Sequence, residues 1–207
     1  NHKDSGRTFL SKGLLRKAKK LAEFNVERFA SLVSENIPLI GIEPSTILSF
    51  RDEYPELVRP DLREAARELG RNALLFEEFI AREVEKGKIS PMQFTDAPAT
   101  IKLHGHCQQK AVASTKPTLS MLSLPKNYKV SEIPSGCCGM AGSFGYEKEH
   151  YELSMKVGEL VLFPAVRQAS DETIITAPGT SCRHQIKDGT GRTALHPIEI
   201  LYEALVK

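Results

Sequence analysis

Ala99-Thr100-Ile101-Lys102-Leu103 reads as a strand that runs straight into His104-Gly105-His106-Cys107, and residues 107–122 behind it read as a helix. The same grammar recurs on both sides. Upstream, Leu14, Ala18, Leu21, Val26, Phe29 and Leu32 or Val33 fall at steps of mostly three and four, predicting a helix over 13–34. Ile37 to Ile42 is a branched apolar run that ends in the Glu43-Pro44-Ser45-Thr46 turn, as a buried parallel strand would. A second helix is predicted over 62–86, with Leu62, Ala66, Leu69, Ala73, Phe76 and Ile80 on one face and Gly87 closing it. Residues 87–99 then read as a connector. Downstream come a turn at Pro125-Lys126-Asn127, a short strand from Tyr128 to Ile133 and the Gly136-Cys137-Cys138-Gly139 turn. A helical stretch from Glu147 to Gln168, a strand from Thr173 to Ala177, a turn from Pro178 to Cys182 and a closing helix from Ile198 to Val206 complete the pattern. Strands alternating with helices imply an α/β fold with a mainly parallel sheet.

The chain has 207 residues, 41% hydrophobic and 26% charged, with a formal net charge of +2. This is an ordinary globular composition; it excludes a collagen-like, low-complexity or disordered chain and offers neither the basic stripe of a nucleic-acid binder nor a polybasic membrane patch. The longest apolar runs, such as Leu160 to Ala165, are far short of the roughly 20 residues that cross a bilayer, so a soluble chain without a transmembrane segment is expected. The opening Asn1-His2-Lys3-Asp4-Ser5-Gly6-Arg7 reads like the middle of a polypeptide, and a longer parent is expected.

A weak internal repeat runs through this pattern. Laying Asp4-Ser5-Gly6 on Cys137-Cys138-Gly139, and allowing three extra residues in the helical stretch, brings Thr46 onto Cys182. Arg51-Asp52 and Lys187-Asp188 then follow at equal distances. The expectation is two tandem pseudo-symmetric units: a truncated, degenerate first repeat over 1–60, a connecting helix and linker over 61–97, and a complete second repeat over 98–207.

Cys107, Cys137, Cys138 and Cys182 are the only cysteines, and two are adjacent, a poor framework for disulfide stapling. Metal or redox chemistry in a reducing compartment fits better. They lie in three separate turns, and in a parallel α/β sheet such turns converge on one edge. Gathered thiolates select soft metals, zinc or an iron–sulfur cluster. The adjacent pair favours a multi-atom cluster, since neighbouring residues on one turn rarely present both sulfurs tetrahedrally to one ion. Gly136, Gly139, Gly142 and Gly145 permit close backbone approach. His104 and His106 are further candidate ligands, weighed against a packed core histidine and a solvated one. His184 and His196 read as surface or capping residues. A papain-like Cys/His enzyme is the weakest alternative, because nothing marks one thiol as an activated nucleophile.

At Cys137-Cys138-Gly139 the chain resembles the cysteine-rich CCG domain family, whose members occur in heterodisulfide reductase, in the glycolate oxidase iron–sulfur subunit and in anaerobic glycerol-3-phosphate dehydrogenase. Cys107 begins the family pattern, Cys137-Cys138-Gly139 continues it and Cys182 ends it. The wording His104 to Lys110, Gly139 to Tyr146, Gly179 to Gln185 and His196-Pro197, with Gly6 to Gly13 and Gly41 to Ser45, is similar to the C-terminal iron–sulfur part of bacterial FAD-linked oxidases. That resemblance covers nearly the whole chain. It implies cluster binding by the four cysteines beside Gly139, FAD and a ferredoxin-type iron–sulfur module elsewhere in the protein or in a partner, and a quinone or other acceptor.

Asp4-Ser5-Gly6 and Thr46 depart from the family's thiols, so the first repeat is expected to hold no cluster. Gln185 or Gly179 stands where the second half of a Cys-x-x-Cys would fall. These departures argue against a five-thiolate noncubane cluster and for a 4Fe–4S site or another metal. The expectation is an electron-transfer domain of a flavin-dependent 2-hydroxy-acid dehydrogenase of the D-lactate, glycolate or D-2-hydroxyglutarate type, with no catalysis of its own. It is placed in the cytoplasm, with peripheral attachment at the inner face of the membrane as an option. The alternative is a structural zinc-binding or metal-free assembly domain.

Overall fold

The computed structural model describes residues 2–206, and the chain is mixed α/β with parallel sheets. It divides into two compact units, Asn1–Phe76 and Glu77–Lys207.

The first unit carries α1 (Arg7–Ser11), α2 (Leu15–Phe29), β1 (Leu39–Gly41), α3 (Pro44–Ile47), α4 (Glu53–Leu57), α5 (Arg63–Arg71) and β2 (Ala73–Leu75). β1 pairs in parallel with β2, Leu39 opposite Ala73 and Gly41 opposite Leu75. The Asp4-Ser5-Gly6 turn is held by polar groups. Buried Asn25 on α2 donates to the carbonyls of Lys3 (3.2 Å) and Asp4 (3.1 Å) and to Tyr54 Oη (3.1 Å), and Tyr54 Oη donates to the Ser5 carbonyl at 2.9 Å. Burial is the main reason the Tyr54 phenol is pushed up to about 12.

From the boundary onward run α6 (Phe76–Glu85), β3 (Ala99–Leu103), α7 (Cys107–Val112), α8 (Lys116–Leu122), β4 (Tyr128–Glu132), α9 (Tyr151–Glu159), α10 (Leu162–Arg167), β5 (Ile174–Thr176), α11 (Thr180–Thr190), β6 (Ala194–Leu195) and α12 (Pro197–Glu203). All strands of the second unit are parallel, in the order β4-β3-β5-β6. The chain leaves β3 toward one side for β4 and returns to the other side for β5, so the β3/β5 border is a topological switch point, where ligand crevices form at the carboxyl ends of strands. The core beneath it joins Ile133, Met140, Leu162, Phe163, Val166, Ile175 and Ile186 to two of the cysteines, Cys138 and Cys182.

Four expectations are corrected. The helix predicted over 62–86 is two helices with β2 between them: Asn72 caps α5 through its amide to the Glu68 carbonyl, and Ala73-Leu74-Leu75 pairs with β1 instead of continuing the turn. The helix predicted over 107–122 breaks at Ala113–Thr115, because Pro117 lacks the N–H that a helix interior needs and sits instead in the first turn of α8. The 147–168 stretch breaks at Leu160–Val161, with Pro164 in the first turn of α10. Cys182 does not lie in a turn; it is the third residue of α11, a helix that the sequence reading did not place.

Candidate metal centre

Every sequence-predicted site residue of the second unit sits at the carboxyl edge of its sheet. His104 follows β3 directly, and its N–H extends the ladder onto the Thr176 carbonyl at 2.8 Å. His106 caps α7, its Nδ1 accepting the Gln108 N–H at 3.3 Å, which starts a helix whose first residue is Cys107. The Ser135–Gly139 loop follows β4. Pro178-Gly179 turns β5 into α11 and presents Cys182 from its first turn, where the helix's free N–H groups favour a thiolate.

The four sulfurs form one continuous row. Cys107 meets Cys137, Cys137 meets Cys138, and Cys138 meets Cys182. Exposure falls along it, from exposed Cys107 through half-buried Cys137 to buried Cys138 and Cys182. Contact with Cys107 and Cys138, and the N–H groups of Gly139 (3.3 Å) and Ala141, hold the Cys137 thiol well below its ordinary range. Contact with Cys138, and then with His104, does the same for Cys182 against its burial. Cys107 and Cys138 are pushed up, chiefly because they donate to these neighbours.

His104 Nδ1 lies 2.7 Å from Ser135 Oγ, while its Nε2 is buried and has no hydrogen-bond partner. That nitrogen and the Cys138 and Cys182 sulfurs lie within 4.8 Å of one another. Clustered soft donors and an orphaned imidazole nitrogen suit a thiolate-loving metal or cluster.

Gly139 has φ +104°, and a Cβ there would strike the Ser154 carbonyl and lie 2.9 Å from Gln185 Nε2. This glycine is required by its surroundings. Ser154 Oγ donates to the Gly139 carbonyl at 2.9 Å, and Gln185 donates to the Ser154 hydroxyl at 2.9 Å. Gln185, read in the sequence as an absent ligand, is therefore the brace of the loop. Lys110 reaches from α7 to the carbonyls of Ser135 and Gly136. Neither Lys110 nor Ser135 was singled out by sequence; the one signal for Lys110 is its place three residues after Cys107, on the same helix face. His196 caps α12, its Nδ1 accepting the Ile198 N–H at 3.1 Å. Exposed His184 meets Tyr146 Oη at 2.9 Å.

Over 201 residues, 97% of its length, the chain is 29% identical to a subunit of the anaerobic glycerol-3-phosphate dehydrogenase of Escherichia coli strain K12, and it spans 49% of that subunit. Its relatives are dehydrogenases. It is 31% identical over 191 residues, 92% of the chain, to D-2-hydroxyglutarate dehydrogenase of Pantoea ananatis strain AJ13355, spanning 17% of that protein. Against D-2-hydroxyglutarate dehydrogenase of Haemophilus influenzae it is 27% identical over 208 residues, 98% of the chain and 20% of the relative. The chain thus covers about half the length of the first and a fifth or less of the others. No family model and no solved structure matches it. Among the described residues no helix is long and apolar enough to cross a membrane.

Proposed function

We propose that this chain is the iron–sulfur electron-transfer part of a flavin-dependent dehydrogenase, built as a CCG-type domain. The observation that carries the reading is the row of four sulfurs at the switch point of the second unit's sheet, graded from exposed Cys107 to buried Cys182. Cys107, Cys137, Cys138 and Cys182 hold a cluster, 4Fe–4S in type. When bound, the cluster supplies one-electron redox chemistry. The chain's own residues shape its surroundings: the Gly139 and Ala141 N–H groups point at sulfur, Ser154 and Gln185 fix the loop, and the apolar core under Cys138 and Cys182 keeps water from the inner side.

The flavin module, a ferredoxin-type module and the quinone-side acceptor belong to the rest of the protein or its partners, and the site of action is the cytoplasm or the membrane's inner face. The substrate is glycerol 3-phosphate or a 2-hydroxy acid, as the names of the relatives suggest. A duplicated architecture with a truncated first repeat is supported by matching local features. Gly6 and Gly139 both take positive φ and pack on equivalent helix residues, Ala18 and Ser154, while Thr46 and Cys182 are each the third residue of the helix after a strand.

Iron and sulfide analysis of anaerobically purified protein tests the reading: both should be present, and Cys138→Ser should lose them. In the assembled dehydrogenase, Cys137→Ser should leave flavin reduction by substrate intact and slow its reoxidation, which rapid mixing separates. Zinc without sulfide would instead favour a structural site, a reading to which the His104, Cys138 and Cys182 trio lends itself.

A further inference from the structure

Two histidines flank the sulfur row, and their hydrogen bonds give them opposite tautomers. His106 Nδ1 accepts the Gln108 N–H at the head of α7, so its proton is on Nε2. That nitrogen is therefore a donor. Gly179 lies between it and the Cys182 sulfur: a Cβ on Gly179 would stand 3.2 Å from each. His104 is arranged the other way. Its Nδ1 lies 2.7 Å from Ser135 Oγ, and Ser135 directs its own hydrogen to the Ile133 carbonyl at 3.4 Å. With its hydrogen so placed, the Ser135 oxygen is free to accept the Nδ1 proton of His104, the tautomer that keeps a lone pair on Nε2.

That nitrogen is fully buried, has no partner of hydrogen-bond geometry, and faces the Cys182 sulfur that it contacts. A buried acceptor left in this state gives up its hydration for nothing, and native structures rarely keep one without a use. It points into the group formed with the Cys138 and Cys182 sulfurs. The backbone is held by the bond from the His104 N–H to the Thr176 carbonyl, and the ring by Ser135 at Nδ1.

We infer that His104 Nε2 is a direct ligand of the centre beside the cysteine sulfurs, with Ser135 the positioning residue that sets its tautomer. This rests on the metal-centre reading above and deepens it. The nitrogen takes up a donor place in a site whose neighbouring helix offers Gln185 instead of another thiol. A neutral imidazole brings no negative charge to the centre, where a further thiolate would, and so leaves its reduction potential higher than that thiolate would. Ser135 does for His104 what a carboxylate or carbonyl does for most metal-bound histidines: it accepts the proton of the remote nitrogen and fixes the ring.

The test uses the holoprotein, purified anaerobically with heavy-nitrogen-labelled histidine, reduced to its paramagnetic state and read by electron–nuclear double resonance. A strong histidine nitrogen coupling is expected, of the size produced by direct coordination. It should vanish in His104→Ala and persist in His106→Ala. Ser135→Ala should keep the coupling but spread its orientation, and Ser135→Thr should restore the sharp signal. If the protein holds zinc, cobalt(II) substitution should show a hyperfine-shifted, slowly exchanging Nδ1 proton from a metal-bound ring, lost in His104→Ala.

An iron–sulfur centre with no strong nitrogen coupling in the unsubstituted protein would overturn the ligand assignment and leave the electron-transfer reading intact. So would a coupling that survives His104→Ala. A holoprotein with no metal would overturn both. Because the labelled unsubstituted protein already decides the matter, failure of a variant to fold does not remove the test.

Discussion

A positive φ by itself costs little where there is room, and the glycines of this chain separate that cost from crowding. Gly13 has φ +68° with open space where a Cβ would stand, whereas Gly139 has φ +104° and the Ser154 carbonyl in the way. Gly13→Ala should lower stability by only about 1 kcal/mol, the price of the left-handed backbone alone. Gly139→Ala should lower it by roughly 3 kcal/mol or more, because either the loop or α9 must move. Urea unfolding of the two variants checks the ratio, and near-equal losses would mean the loop relaxes freely. Glu77 supplies the pH-dependent counterpart. It is fully buried at the start of α6, and loss of hydration, helped by the neighbouring Glu78 charge, pushes its carboxyl up to about 7. A raised carboxyl means that the folded state binds the proton more tightly. Its contribution is complete below the ordinary carboxylate range, falls as the pH rises and is gone above about 7. The loss is on the order of 3 kcal/mol. Thermal unfolding of Glu77→Gln should show a smaller drop between pH 5 and pH 8 than the parent chain, and identical slopes would refute the assignment.

Between elements, the important links are single side chains. Lys110 joins α7, which bears Cys107, to the loop that bears Cys137 and Cys138, by donating to two loop carbonyls. Lys110→Met keeps the aliphatic stem and removes both bonds. It should cost about 1–2 kcal/mol in denaturant unfolding and leave Cys107 more reactive toward alkylating reagents, with Lys110→Arg restoring part of each. The same scale explains what could be read from the sequence. β3 was legible residue for residue because Ala99, Ile101 and Leu103 alternate with Thr100 and Lys102 and a turn follows them. α11 was not, because its buried face is Cys182, Gln185 and Ile186, helical in spacing but with a thiol and an amide in two of three places. β2 was hidden for a different reason: Ala73, Leu74 and Leu75 satisfy a helix face equally well, and only pairing with β1 decides. The cysteines and His104 were visible as a convergent set. Ser135, Ser154 and Gln185 were not, since a serine or glutamine acquires its role only from what the fold sets beside it.

Over the whole chain, the two units differ in what supports the corresponding turn. In the second, Cys138 and Cys182 are part of the core cluster, so the site and the packing are one structure. In the first, the Asp4-Ser5-Gly6 turn packs on Ala18 and is tied down by hydrogen bonds from Asn25 and Tyr54. Stripping metal with a strong chelator should therefore lower hydrogen-exchange protection in α9 and α11 and around β5, while amides of α2 and α4 keep theirs. Equal loss in both units would show that they open together. Asn25→Ala should reverse the pattern, loosening residues 2–7 with the metal still bound.

The Asn25–Tyr54 network also bears on how such a chain is made. Its atoms all come from the polypeptide, so the first unit needs nothing from outside to close its turn. On the function proposed above, the second awaits a delivered cofactor, and until delivery it carries adjacent thiols, Cys137 half-buried and Cys138 in its core. Synthesis proceeds from the amino end, so the self-sufficient half emerges from the ribosome first. If the centre is an iron–sulfur cluster, a cell short of iron should accumulate a chain already half finished, its first unit folded and its second open to loading, to oxidation or to proteolysis. On the function proposed above, a first unit with Asp4-Ser5-Gly6 and Thr46 in place of thiols makes maturation depend on one delivery instead of two.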